Sequence, residues 1–300
     1  MKIKHLKHTE INLQQWDGCI QNAMNPLVYA ESWYMDIVSP NWEALVSENY
    51  EYVMPLPVKR KFGISFVVQP PVTQQLGIFS SHRIDENIMA HFIQKIPYRS
   101  YHLCFNEQNM CRKGVKHPNF ILNLNQNYEP VFSSYSTNTK RNIKKSQQHH
   151  IEIKMNVPIN DFLEFYHSIQ KNYRDLPKTK VNLLLQASLK KDKATIYGAY
   201  NEDNNLISAL YLLHSHQRLI YLLPVSNKEG KENLAMFKMV DEITRQYANS
   251  DVLLDFAGSN VRNVARFYES FGADIVFYTE LKRCSINDFI KHFCFWKSLY

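Results

Sequence analysis

Glycine is the first thing this chain lacks: eight in 300 residues, well under half the usual share of about 7%. That scarcity excludes collagen-like repeats, glycine-rich phosphate loops in series and flexible glycine linkers. Cysteine is also sparse, five residues (Cys19, Cys104, Cys111, Cys284, Cys294) that are odd in number and never spaced C-x-x-C. Neither a disulfide framework nor a zinc ribbon is written in that pattern, and a reducing cytoplasm is the expected location. Long apolar runs are missing too. The N-terminus, Met1 to His8, interrupts its apolar residues with charge, so it holds no secretory core segment, and no window approaches the roughly 20 apolar residues of a membrane span. No membrane insertion is expected.

What is present suits a folded core. Hydrophobic residues make up 45% of the chain, aromatics 13% and charged residues 21%, too apolar and too weakly charged for a disordered chain. The formal net charge is +7, which permits an anionic partner without requiring one. G-x-S-x-G, H-E-x-x-H, P-loop and dinucleotide fingerprints are all missing, so hydrolase, metalloprotease, kinase-type and Rossmann readings lack support. His214 and His216 share one side of a strand with no third ligand nearby, and no metal is expected.

The spacing predicts a clear order of elements in the second half. A strand over Ile151 to Met155 leads to a helix capped by Asn160 or Asp161, then a helix over Val181 to Leu189. Three strands follow as an antiparallel meander, Ala194 to Tyr200, Leu206 to His214 and Arg218 to Val225. A long helix from Glu232 to Ala248 precedes the strand Val252 to Phe256. Gly258-Ser259-Asn260 opens a helix through Phe271, and a last strand starts at Ile275. The first half repeats that order: a strand near Ile3, helices Leu13 to Met24 and Ala30 to Val38, and strands Trp42 to Glu48, Tyr52 to Lys59 and Gly63 to Val68. A polar, proline-bearing connection, a helix Glu86 to Ile96, and strands Ser100 to Phe105 and Phe120 to Leu124 complete it. No residue-level repeat accompanies this duplication of architecture. A helix over Glu129 to Ser146 is expected between the halves, giving domains 1–128 and 149–300 joined by a basic helix, 129–148.

Strand, two helices, meander, helix, strand, helix, strand resembles the layout of the GNAT acyltransferase fold. Two such halves in one chain are similar to the Fem-type (FemAB-like) aminoacyl transferases. The segment Thr139-Lys140-Arg141-Asn142-Ile143-Lys144-Lys145-Ser146 resembles the basic T-x-R-x-N-I-x-x-A stretch that joins the Fem halves. Arg266-Phe267-Tyr268-Glu269-Ser270-Phe271-Gly272 resembles the last helix of both groups. The resemblance implies a duplicated α/β (α+β) fold with a mixed, mostly antiparallel sheet and flanking helices in each half. It implies a cytoplasmic acyltransferase, acetyltransferase-like, that moves an acyl group from a thioester or aminoacyl donor to a small-molecule or peptide amine. The cleft between or beside the domains is the expected place. The alternatives are a tRNA-dependent Fem-type transferase and a non-catalytic binding module.

The same resemblance assigns roles. Tyr268, four residues before Gly272, matches the tyrosine that protonates a departing thiolate in GNAT enzymes; the competing reading is a core aromatic in line with Val261 and Val264. Ser226, Lys228, Gly230 and Lys231 occupy the place of the coenzyme A pyrophosphate loop, where only one glycine remains and Glu229 and Glu232 add negative charge, so acyl coenzyme A is expected to bind weakly. Oxyanion donors would be backbone N–H groups at the splayed end of the strand Arg218 to Val225. Asn260 stands near a pantetheine-holding asparagine, with helix capping, shared with Ser259, as the other reading. Asp255 either orients an acceptor amine or is simply solvated or bonded to the next helix. Arg141, Lys144 and Lys145, with Lys140, form either a site for tRNA or a phosphate group, or a solvated basic face.

Overall fold

A computed structural model describes residues 1–109, 111–170 and 178–284, so Cys294 lies outside the described residues. In chain order the first elements are β1 (Ile3–Leu6), α1 (Leu13–Gln21), α2 (Ser32–Val38), β2 (Glu43–Ser47), β3 (Tyr52–Leu56), β4 (Val58–Lys61), β5 (Ile64–Val68), β6 (Phe79–Ser80), α3 (Glu86–Gln94) and β7 (Tyr101–Phe105). Then come β8 (Val115–Asn123), α4 (Tyr128–Ser134), α5 (Thr137–Ser146), β9 (Glu152–Met155), α6 (Ile159–Ile169), α7 (Lys178–Lys190), β10 (Ala194–Tyr200), β11 (Leu206–Ser215) and β12 (Arg218–Ser226). The last are α8 (Lys228–Glu232), α9 (Ala235–Tyr247), β13 (Leu253–Asp255), α10 (Arg262–Glu269) and β14 (Asp274–Arg283).

The chain forms two compact units that do not follow the sequence halves. The first gathers Met1–His117, a short stretch ending at Lys180, and Phe277 with the strand residues after it. The second gathers Pro118 to Gln170 and Val181–Val276. The segment 129–148, expected to join two domains, lies within the second unit. Each unit takes one strand from the far side of the boundary read from sequence. β14, expected to close the second half, pairs antiparallel with β7, Thr279 opposite Phe105 and Arg283 opposite Tyr101. β8, expected to close the first half, pairs antiparallel with β13, Ile121 opposite Asp255 and Asn123 opposite Leu253. Local sequence specifies that a segment is a strand, whereas partner choice depends on long-range packing.

Both units carry the expected mixed, mostly antiparallel sheet with flanking helices. The first holds an antiparallel set, β1-β2-β3-β6, and a second set, β4-β5-β7-β14. The second holds β8-β13-β12-β11-β10-β9. Each unit has one parallel pair bridged by a crossover helix: β5 and β7 across α3, and β12 and β13 across α9. The first core packs Leu45, Met54, Val67, Phe92, Leu103 and Phe105; the second packs Phe120, Leu212, Val240, Ile243, Leu254 and Phe271.

Several boundaries move for identifiable reasons. Tyr52 to Lys59 is two strands because Pro57 has no N–H for a ladder. Glu129 to Ser146 is two helices: Tyr135 and Ser136 are extended, and the Ser136 hydroxyl caps α5 by accepting from the Thr139 amide. Pro158, and neither Asn160 nor Asp161, takes the N-cap of α6. The helix expected from Glu232 breaks at Leu234, which is left-handed with φ of 59°. No helix of the described residues is long and apolar enough to cross a membrane.

Candidate functional site

The site grows from an irregularity in β12. Between Leu222 and Val225 that strand spends three residue steps while β11, from Tyr211 to Ala209, spends two. The extra residue is a β-bulge, and Leu223 adopts a left-handed φ of 53°. On its other side β12 pairs with β13 only from Arg218 to Ile220. β13 ends at Asp255, opposite Ile220, and a cavity of about 650 Å³ opens beside Tyr221 to Ser226. The bulge that shapes this end of β12 was missed. Its signal was Pro224, a residue that central strands tolerate only at bulges or edges.

The cavity lies wholly in the second unit. Its walls come from the end of α6 (Ile169, Gln170), from β12, from the α8 to α9 turn (Gly230, Lys231, Leu234, Met236, Phe237) and from α10 (Asn263, Val264, Phe267, Tyr268). Gln170, Ser226, Lys231 and Asn263 are the polar side chains among many apolar ones, and the Ser226 hydroxyl already accepts from Ser208 Oγ at 2.7 Å.

Tyr268 sits at the inner wall in an aromatic cluster. It stacks on Phe256 at 4.7 Å and meets Tyr221 edge-on at 5.8 Å. Val261 and Val264 are not its packing partners in a core, since both are exposed, 60% and 37%. Burial pushes the Tyr221 hydroxyl well above its ordinary pKa, and the neighbouring Tyr268 adds to the shift.

Four of the eleven residues picked from sequence meet at the cavity: Ser226, Gly230, Lys231 and Tyr268. Gly230 is there for packing. A Cβ at this position would collide with the Ile207 carbonyl oxygen and Ser208 Oγ, so glycine lets α8 lie on β11. The Gly230 amide donates to Asn227 Oδ1 at 2.8 Å, and Glu229 accepts from Asn201 Nδ2 at 2.8 Å. The amide that a diphosphate would need is thus occupied. Lys228 lies exposed beside Glu232, 3.8 Å away.

Asp255 is a structural clamp. It is buried, with one oxygen 2.8 Å from Arg218 Nη1 and the other accepting from Asn119 Nδ2 and the Ala257 amide. Its carboxylate holds β12, β13 and β8 together, and its burial keeps it away from the cavity lining. Neither Ser259 nor Asn260 caps α10: the cap is Val261, whose amide donates to Ser259 Oγ at 3.0 Å. Arg141, Lys144 and Lys145 are exposed on α5 and none lines the cavity. His214 contacts Thr195 Oγ1 at 3.2 Å. Among the described residues no three ligating side chains are grouped to hold a metal.

No family model matches the sequence, and no curated protein is significantly similar to it. Solved structures do share its fold. FemX aligns over 98% of this chain and 100% of its own length with a TM-score of 0.65 at 10% identity. The C-terminal domain of a putative lysylphosphatidylglycerol synthetase from Agrobacterium fabrum covers 91% of this chain and 92% of itself, with a TM-score of 0.56 at 6% identity. A tandem GNAT protein from the clavulanic acid biosynthesis pathway covers 95% and 100%, with a TM-score of 0.50 at 9% identity. The fold is the tandem GNAT-like fold shared with FemX, as the order of elements implied.

Proposed function

We propose that this chain is an acyl- or aminoacyltransferase whose acceptor is an amine and whose acyl group is handled at the cavity beside β12. The observation that carries the reading is the bulged end of β12, unpaired with β13 beyond Ile220, with Tyr268 lining the cavity beside it. That arrangement supplies what acyl transfer needs: strand amides beside a developing oxyanion, and a phenol at the leaving group. The neutral amine attacks the acyl carbon and forms the C–N bond. The C–S bond of a thioester, or the C–O bond of an aminoacyl ester, breaks with its electron pair on the leaving atom. Tyr268 gives that atom its proton, and the proton shed by the attacking nitrogen passes through water to the phenolate, restoring Tyr268. Fold kinship with FemX and a tandem GNAT protein supports the class of reaction.

A coenzyme A thioester is one donor class, but the occupied amide and the packed Gly230 argue against a tight diphosphate grip. The exposed cations Arg141, Lys144 and Lys145 favour a second reading, in which the donor is an aminoacyl-tRNA. Mass spectrometry of an amine pool incubated with acetyl coenzyme A or with charged tRNA tests both. Transfer from either donor that Tyr268→Phe abolishes is the expected result. If neither donor is consumed, the chain is a binding module.

A further inference from the structure

At the start of α9 stands a residue that the backbone does not favour. Leu234 has φ of 59° and ψ of 30°, a left-handed conformation that is uncommon for residues with a bulky side chain and that glycine adopts at little cost. It is the N-cap of α9, yet it offers no side-chain acceptor to the first turn. Its side chain instead lines the cavity beside Met236 and Phe237. All three are only partly buried, so they present apolar surface to the cavity. Val264 and Phe267 of α10 and Pro224 of the bulge line it too, with Phe267 edge-on against Phe237 at 4.9 Å.

Two further observations say what fits there. The preceding turn has its Gly230 amide taken by Asn227 and its glycine pressed against β11, which disfavours a close phosphate there. A cavity of about 650 Å³ falls within the usual 300 to 1,000 Å³ of small-molecule sites, and few polar side chains line it.

We propose that this cavity holds an apolar acyl chain, with Leu234 as part of its wall, so that the donor is selected by chain length. What happens to the chain rests on the transfer reading above; its binding does not.

The test uses N-acetylcysteamine thioesters carrying acetyl, hexanoyl or decanoyl groups, titrated by calorimetry into the full chain. These probes lack a diphosphate, so they report the acyl part alone. Affinity should rise roughly four-fold for each methylene buried. Leu234→Gly should relieve the left-handed strain, leaving the melting temperature equal or higher, while decanoyl binding weakens at least ten-fold and acetyl binding changes little. Equal affinity for all three thioesters overturns the proposal, as does a Leu234→Gly variant that keeps the full gain with chain length. If the gain with chain length is seen but no amine is ever acylated, the transfer reading fails and the chain site stands. If acetyl is transferred and no gain with length appears, the reverse holds.

Discussion

Tyr268 lies flat on Phe256, ring centroids 4.7 Å apart and planes 22° apart, while also forming part of the cavity wall. One residue thus belongs both to the core and to the cavity wall. Tyr268→Phe separates the two roles, because it keeps the stack and deletes only the hydroxyl. Stability should fall by no more than about 0.5 to 1.5 kcal/mol. The transfer rate should fall roughly 100- to 10,000-fold. Single-turnover transfer and thermal melting measure these separately, and an unchanged rate would remove Tyr268 from the chemistry.

Gly230→Ala probes the other half of the site. An added methyl meets the Ile207 carbonyl and Ser208 Oγ, so α8 must lift from β11 at a cost of about 1 to 3 kcal/mol. Urea titration should show that loss. If the variant were as stable as the parent but bound coenzyme A worse, the glycine would be a ligand-approach position after all.

Acid should weaken the first unit through His102 and Glu280. His102, fully buried on β7, has its Nε2 2.6 Å from Glu280 Oε1 on β14, and His117 Nε2 is 2.9 Å from the other oxygen. Burial, with Lys282 nearby, pushes His102 down to about 4. Burial alone would raise Glu280, but the bonds from Lys282 and His117 and the charge of His102 outweigh it and hold the carboxyl at about 2. A histidine depressed from its ordinary 6.5 takes up its proton more readily when unfolded, so stability falls as pH drops from 6.5 towards 4. For Glu280 the stabilisation is present above about 4.5 and is lost as pH falls towards 2. The His102 share is on the order of 3 kcal/mol. In urea titrations across pH, His102→Leu should flatten the decline between 6.5 and 4; an unaltered slope would put the acid sensitivity elsewhere.

The order of elements was legible because it rests on local signals. Short, almost continuous apolar runs gave the meander β10 to β12, and the polar turns Asp203-Asn204-Asn205 and Ser215-His216-Gln217 marked its breaks. Tyr268 was reachable from its distance to Gly272. Leu234 and Leu223 were not, because nothing in a leucine announces a left-handed backbone that only the surrounding packing enforces. Asp255 looked available for chemistry since its partners, Arg218 and Asn119, are remote in sequence. The destination of β14 was hidden for the same reason.

That destination has a kinetic meaning. Phe277 and the strand residues after it are made long after β7, yet they belong with it. Until they arrive, the nascent first unit has Tyr101 to Phe105 without its antiparallel neighbour, an open strand edge of the kind that invites wrong partners. Closing so long a loop before any reward is slow. The first unit is therefore expected to stay incomplete until β14 is made, and its dependence on chaperones should be set by that wait.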